Sequence, residues 1–281
     1  MHELLTQVTA DLAQRSVDAW RPAFGSSPGR QEATVIAGLT RSDGVTPWGT
    51  APMEVVWKAG ELLYIAVLEH ARAVAQLLVP PFRTWAPSAE VRAAVEAAGQ
   101  VAWLFDPAVP SSRIRIGRYY TLRLKMAQQL DYTYSKVQPG GPLSDYGMPP
   151  ADVEAEAGLL GLTAVPNRNG AVIGYEGQKP QKIEDLVPLI VGHNGAYSLL
   201  SGSAHSEFWS LLGGYRGQQP SPLGITPQQH EAEPESFVPL VRACIQALFK
   251  PIDYACQMFD RGVLAADLNR IYKTVLAVMG P

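Results

Sequence analysis

Tyr197, Ser201 and His205 recur at four-residue intervals in the stretch NGAYSLLSGSAHSEFW, residues 194–209, and on a helix they share one face. A hydroxyl one turn before an imidazole can fix the ring's tautomer or be deprotonated by it. Those are two of the three parts of nucleophilic or general-base chemistry. Ser198 lies near the same line and is an alternative to Ser201. The third part is an acid that orients the imidazole, for which Glu96, Asp106 and Glu207 are the candidates. A buried histidine satisfied by Ser201 or by a backbone carbonyl is the competing account.

A second concentration of chemistry lies in RIRIGRYYTLRLKMAQQLDYTYSK, residues 113–136, which carries Arg113, Arg115, Arg118, Arg123 and Lys125 interleaved with Tyr119, Tyr120, Tyr132 and Tyr134. Guanidinium groups grip phosphate in bidentate fashion and tyrosines stack on bases, so the pattern suits RNA or a phosphorylated small molecule. An arginine-rich face paired to acids on neighbouring helices, such as Glu96 or Asp106, accounts for the same charges without a ligand.

Several reaction classes are disfavoured. The chain has no G-x-S-x-G, no H-E-x-x-H, no dinucleotide fingerprint, no phosphate-binding loop and no aspartate-rich pair for magnesium. No metal and no cofactor is therefore expected. The formal charge of −3 supplies no bulk attraction to nucleic acid or to an anionic membrane. Cys244 and Cys256 stand twelve apart with no partner at metal spacing, as expected of reduced, buried thiols. The N-terminal MHELLTQVTADLAQR has acids and polar residues where a secretory signal has an unbroken apolar core, so a cytoplasmic location is expected. Val55 to Val79 is long and apolar, but Lys58, Glu61, Glu69, His70 and Arg72 interrupt it, which predicts a core helix and not a membrane span.

The elements that must position these groups read mostly as helices. With 281 residues, 47% of them hydrophobic, residues 1–281 are expected to form a single helical domain. Apolar spacing predicts helices over 3–20, 53–79, 88–105, 113–136, 151–162, 183–191, 194–205, 234–260 and 264–279. Ser88 is expected to cap the 88–105 helix, and Ser111 or Ser112 the next one. Three alanines centre the apolar stripe of the 88–105 helix and should let a neighbour approach closely. Pro251 should bend or break the helix over 234–260. ATVIAGL, residues 33–39, suits either a short strand or a helical turn, and Trp48 is too large and apolar to be left in solvent. Residues 137–182 turn rich in Pro and Gly and read as an insertion, with a β-hairpin over 163–175 about Asn169–Gly170.

The combination of EAAGQVAWLFDP (Glu96 to Pro107), an arginine-rich helix, a polar hairpin insertion and YSLLSGSAHSEFW (Tyr197 to Trp209) resembles a group of helical proteins from high-GC bacteria. These are in turn distantly similar to the HEPN superfamily of helical-bundle ribonucleases, nucleotide-binding modules and abortive-infection proteins. The resemblance spans roughly residues 48–215 and implies a homodimer. HEPN ribonucleases use an Arg four to six residues from a His. His205 matches the His, whereas Ser198, Leu199 and Leu200 stand where the Arg would fall, and Arg115 or Arg118 would have to replace it in space.

The fold expected is all-α, a bundle of six to eight helices with a small β-hairpin insertion. The function expected is binding of a small organic ligand in an aromatic pocket between the 90–105, 113–136 and 194–209 helices. Trp103, Tyr119, Tyr120, Tyr197 and Trp209 would line it, and Asp106, Arg115 and Arg118 would make it polar. His205, with Ser201 and Glu96, would act there as acid or base in a metal- and cofactor-independent enzyme of specialised metabolism. RNA cleavage or binding in defence, through His205 and the arginine-rich helix, is the alternative. A structural interaction module is the third reading.

Overall fold

The computed structural model describes residues 1–20, 27–79, 86–109, 111–137, 149–192 and 237–279. They form nine helices and one two-stranded antiparallel hairpin, an all-α bundle. The helices are α1 His2–Ala19, α2 Pro28–Ala37, α3 Ala51–Leu77, α4 Ala86–Phe105, α5 Ser112–Val137, α6 Pro150–Leu159, α7 Ile183–Val191, α8 Val238–Met258 and α9 Gly262–Met279. The strands β1 Ala164–Pro166 and β2 Val172–Tyr175 fall between α6 and α7.

Helix α4 is the centre of the bundle. Its alanine-rich sequence lets α3, α8, α7 and α5 all pack on it, so most residues from Val91 to Phe105 are buried. Ser88 does not cap α4. The helix already begins at Ala86, with Pro87 in its first turn, where a missing N–H costs no hydrogen bond, and Ser88 is buried inside it. Ser111 does serve the next helix, accepting from the Ile114 N–H at 3.4 Å. The first five residues of ATVIAGL, 33–37, belong to α2, whose start Ser27 caps by accepting from the Arg30 N–H.

Pro251 does not break α8, which runs unbroken from Val238 to Met258. The proline removes one backbone donor and is itself buried, and burial of Val241, Ile245, Leu248 and Ile252 on the same helix outweighs that loss. Tyr64 ties α3 to α8 by donating to the Leu248 carbonyl at 3.0 Å. An aromatic cluster joins the ends of several helices: Trp20 meets Phe105 edge-on at 5.1 Å, and Trp57 meets Phe259 edge-on at 5.4 Å. Burying each such side chain stabilises the fold by roughly 1.5–3 kcal/mol.

Trp48 is buried, donating its indole N–H to the Thr40 carbonyl at 2.9 Å with the Arg113 guanidinium 5.3 Å above the ring. Among the described residues no helix is long and apolar enough to cross a membrane. In α3, Lys58 pairs with Glu61 at 2.7 Å, and Glu54 and Glu69 face solvent.

The hairpin turns through Asn167–Gly170. The Gly170 N–H donates to the Asn167 carbonyl, Asn167 Oδ1 accepts from the N–H groups of Asn169 and Ala171, and Gly170 alone takes a positive φ, 84°. This is a three-residue loop closed by a left-handed glycine, and a register irregularity follows between Val165 and Pro166. The hairpin lies against α5 at Gly117, where a Cβ would come within 2.7 Å of Glu176 Cβ. Thr121 Oγ1 accepts from the Tyr175 N–H at 3.1 Å, which anchors β2 to the same helix.

Candidate functional site

Tyr197, Ser198, Ser201, His205, Glu207 and Trp209 lie outside the described residues. The remaining expected site residues fall in two separate places around α4 and α5, with Glu96 apart from both. Glu96 pairs with Arg92 one turn back on α4, Nε to Oε1 at 2.7 Å.

The first place joins α5 to the end of α4. An α-helix leaves its last carbonyls without intrahelical donors, and the last turn of α4 carries no cation of its own. Helix α5 supplies two. Arg115, 2% exposed, donates from Nη1 to the Leu104 carbonyl at 3.0 Å and forks its Nε between both oxygens of Glu32 on α2, at 3.1 and 3.2 Å. One turn on, Arg118 donates to the Trp103 carbonyl and to Gln178 Oε1, and its guanidinium stacks 5.0 Å from the Trp103 ring. The Asp106 carboxylate lies 3.9 Å away. Burial pushes the Arg118 guanidinium below its ordinary value, against the opposing pull of Asp106.

The second place is a box of tyrosines. Arg123 lies 5.5 Å from the Tyr119 ring and 5.3 Å from the Tyr120 ring, and donates to Glu156 on α6 at 2.6 Å. Tyr120 meets Tyr119 and Tyr175 edge-on at 5.3 and 6.2 Å, and its hydroxyl donates to the same Glu156 oxygen at 3.4 Å. The tyrosines therefore enclose a protein guanidinium. Burial first, then the Glu156 charge, pushes the Tyr120 phenol up to about 12, and burial with Glu154 does the same for Tyr175.

These two phenols give the fold a pH limit. Their folded-state values lie above the ordinary 10.0, so the folded protein keeps protons that the unfolded chain releases. The stability they contribute is whole below pH 10 and is lost as pH rises through about 12. Thermal unfolding should hold a steady midpoint to about pH 9, where the thiols of the unfolded chain begin to ionise, and then fall, and Tyr120→Phe with Tyr175→Phe should make the fall above pH 10 shallower. A native phenolate titration in which every tyrosine ionises near 10 would refute the assignment.

The third place was not foreseen. A cavity of about 690 Å³ lies between α7, α8 and α9, within the usual size range of small-molecule sites. Helix α8 lines it with Gln246, Phe249, Lys250 and Asp253, spaced three, four and seven residues from the first, so one helix face is presented. Helix α9 does the same with Ala265, Leu268, Asn269 and Tyr272. Helix α7 contributes Pro188 to Gly192. The Phe249 and Tyr272 rings touch at 5.2 Å. The polar residues at helical spacing on α8 and α9 were visible in the sequence, but that α7 closes the space was not.

Neither cysteine is poised for chemistry. Cys244 and Cys256 are free and buried, and burial pushes both thiols up to about 12, which keeps them protonated. Among the described residues no group of three or more His, Cys, Asp or Glu could hold a metal ion. The chain matches no family model, no curated protein and no solved structure.

Proposed function

We propose that this chain is a small-molecule-binding helical protein whose ligand lies between α7, α8 and α9. The observation that carries this reading is the cavity of about 690 Å³, in which aromatic and aliphatic walls carry four separated polar side chains. The arginines of α5 favour it over RNA cleavage. Arg113 pairs with Glu176, Arg115 with Glu32 and Arg123 with Glu156, and Arg118 lies against Asp106, so a phosphate backbone would have to displace protein carboxylates. Acid–base chemistry by His205 with Ser201, both outside the described residues, is a separate enzymatic reading. On that reading His205→Ala abolishes turnover and leaves ligand affinity intact.

A thermal-shift screen of small organic molecules tests the reading, with Ala265→Phe as the variant that fills the cavity from α9. A ligand at a hundredfold excess over its Kd should raise the midpoint of the unaltered protein by about 5 °C. The same ligand should leave Ala265→Phe unmoved, and its affinity should be insensitive to salt. An equal shift in both proteins, or RNA binding that falls steeply with salt and survives Ala265→Phe, would overturn it.

A further inference from the structure

From the chemistry of this cavity, and resting on its reading as the ligand site, we infer that the ligand is an α-amino acid with a large apolar side chain. The cavity has two electrically opposite regions. Five consecutive residues of α7 and its cap, Pro188 to Gly192, line it. A helix that meets a cavity side-on shows residues three and four apart, so an unbroken run of five places the cavity at the helix's C-terminal end. That end carries the negative pole of the helix dipole. The Gly192 N–H returns to the Pro188 carbonyl, and among the described residues no donor reaches the carbonyls of Leu189, Ile190 or Val191. Asp253 adds a full negative charge to the lining.

Lys250 is the positive region. It stands one turn before Asp253 on α8, a spacing at which Lys and Asp commonly pair, yet the contacts each makes are to other residues. The Lys250 ammonium instead lies 4.9 Å from the Tyr254 ring, and among the described residues no acceptor takes a hydrogen bond from it and Asp253 accepts one, from Gln257 at 2.9 Å. One cation and one carboxylate a helical turn apart match a carboxylate and an ammonium borne by the same carbon of a ligand. A ligand with only one of these charges would leave the opposite protein charge half-buried and uncompensated. Phe249, Leu268 and Tyr272 furnish the apolar wall for the side chain.

Calorimetric titration of the full chain with L-phenylalanine, phenethylamine, phenylpropionate and phenylethanol tests the inference, because the four share a ring and differ in charge. L-Phenylalanine should bind at least about tenfold more tightly than the other three. Lys250→Met and Asp253→Asn should each weaken it about tenfold and leave phenylethanol unchanged. If the amine, the acid or the alcohol binds as tightly, or if neither substitution matters, the amino-acid inference falls and the cavity reading stands. No heat from any of the four also removes the inference. Binding of all four that survives Ala265→Phe removes the cavity reading itself.

Discussion

Arg115→Met should lower the free energy of unfolding by about 3 kcal/mol, the lower end of the cost of breaking a buried ion pair. The side chain of Arg115 is 3% exposed and that of Glu32 is 20% exposed, so Glu32 keeps some water when its partner goes. Two further losses add to the unpaired carboxylate. The Leu104 carbonyl at the end of α4 forfeits its donor, and α2 loses a polar tie to α5. Urea unfolding at constant m-value reads the change. Methionine at both positions 115 and 32 should recover a large part of it, since two apolar groups leave no charge stranded. A loss below about 1 kcal/mol for the single variant would mean that the pair is solvated and that α4 does not depend on it.

Gly60→Ala should destabilise by about 2 kcal/mol, although alanine is the better helix former. Within a helix the exchange gains about 1 kcal/mol from backbone entropy, and overpacking a dense core costs about 1–3 kcal/mol and occasionally more. Packing wins here. A Cβ at position 60 would lie 2.2 Å from Phe105 Cε2 and 2.8 Å from Trp20 Cζ3, inside the aromatic cluster where Trp20 and Phe105 already meet at 5.1 Å. The neighbouring rings have nowhere to retreat. Gly158 in α6 is the control, because a Cβ there meets nothing within 4 Å, so Gly158→Ala should gain stability. Pairing Gly60→Ala with Phe105→Leu should cost less than the sum of the two single changes. Stability of Gly60→Ala equal to or above that of the unaltered protein would refute the close packing of α3 on α4.

Much of the fold was legible because its signals are local. Apolar spacing located α3, α4 and α5 to within about two residues, and Asn169–Gly170 located the hairpin turn, since backbone preference and hydrogen bonding act over a few residues. The size of Trp48 predicted its burial without predicting its partners. The candidate site was less legible. Tyr119, Tyr120, Arg115 and Arg118 were expected around one ligand, yet successive residues of a helix point in different directions. Arg115 and Arg118 turn to the end of α4, while Tyr120 and Arg123 turn to α6 and the hairpin.

Taken alone, the sequence determined the all-α class, most of the helix-bearing segments among the described residues and the hairpin, since each depends on spacing within one segment. Only the tertiary structure decided which arginine meets which carboxylate, that α5 supplies the cations α4 lacks at its C-terminus, and that α7, α8 and α9 leave a cavity between them. The groups concerned are far apart in the chain: Glu32 and Arg115 are separated by 83 residues, and the cavity draws on Pro188, Lys250 and Tyr272. Guanidinium–carboxylate pairing and the shape of a void depend on where whole helices pack, and no periodicity within one helix encodes that arrangement.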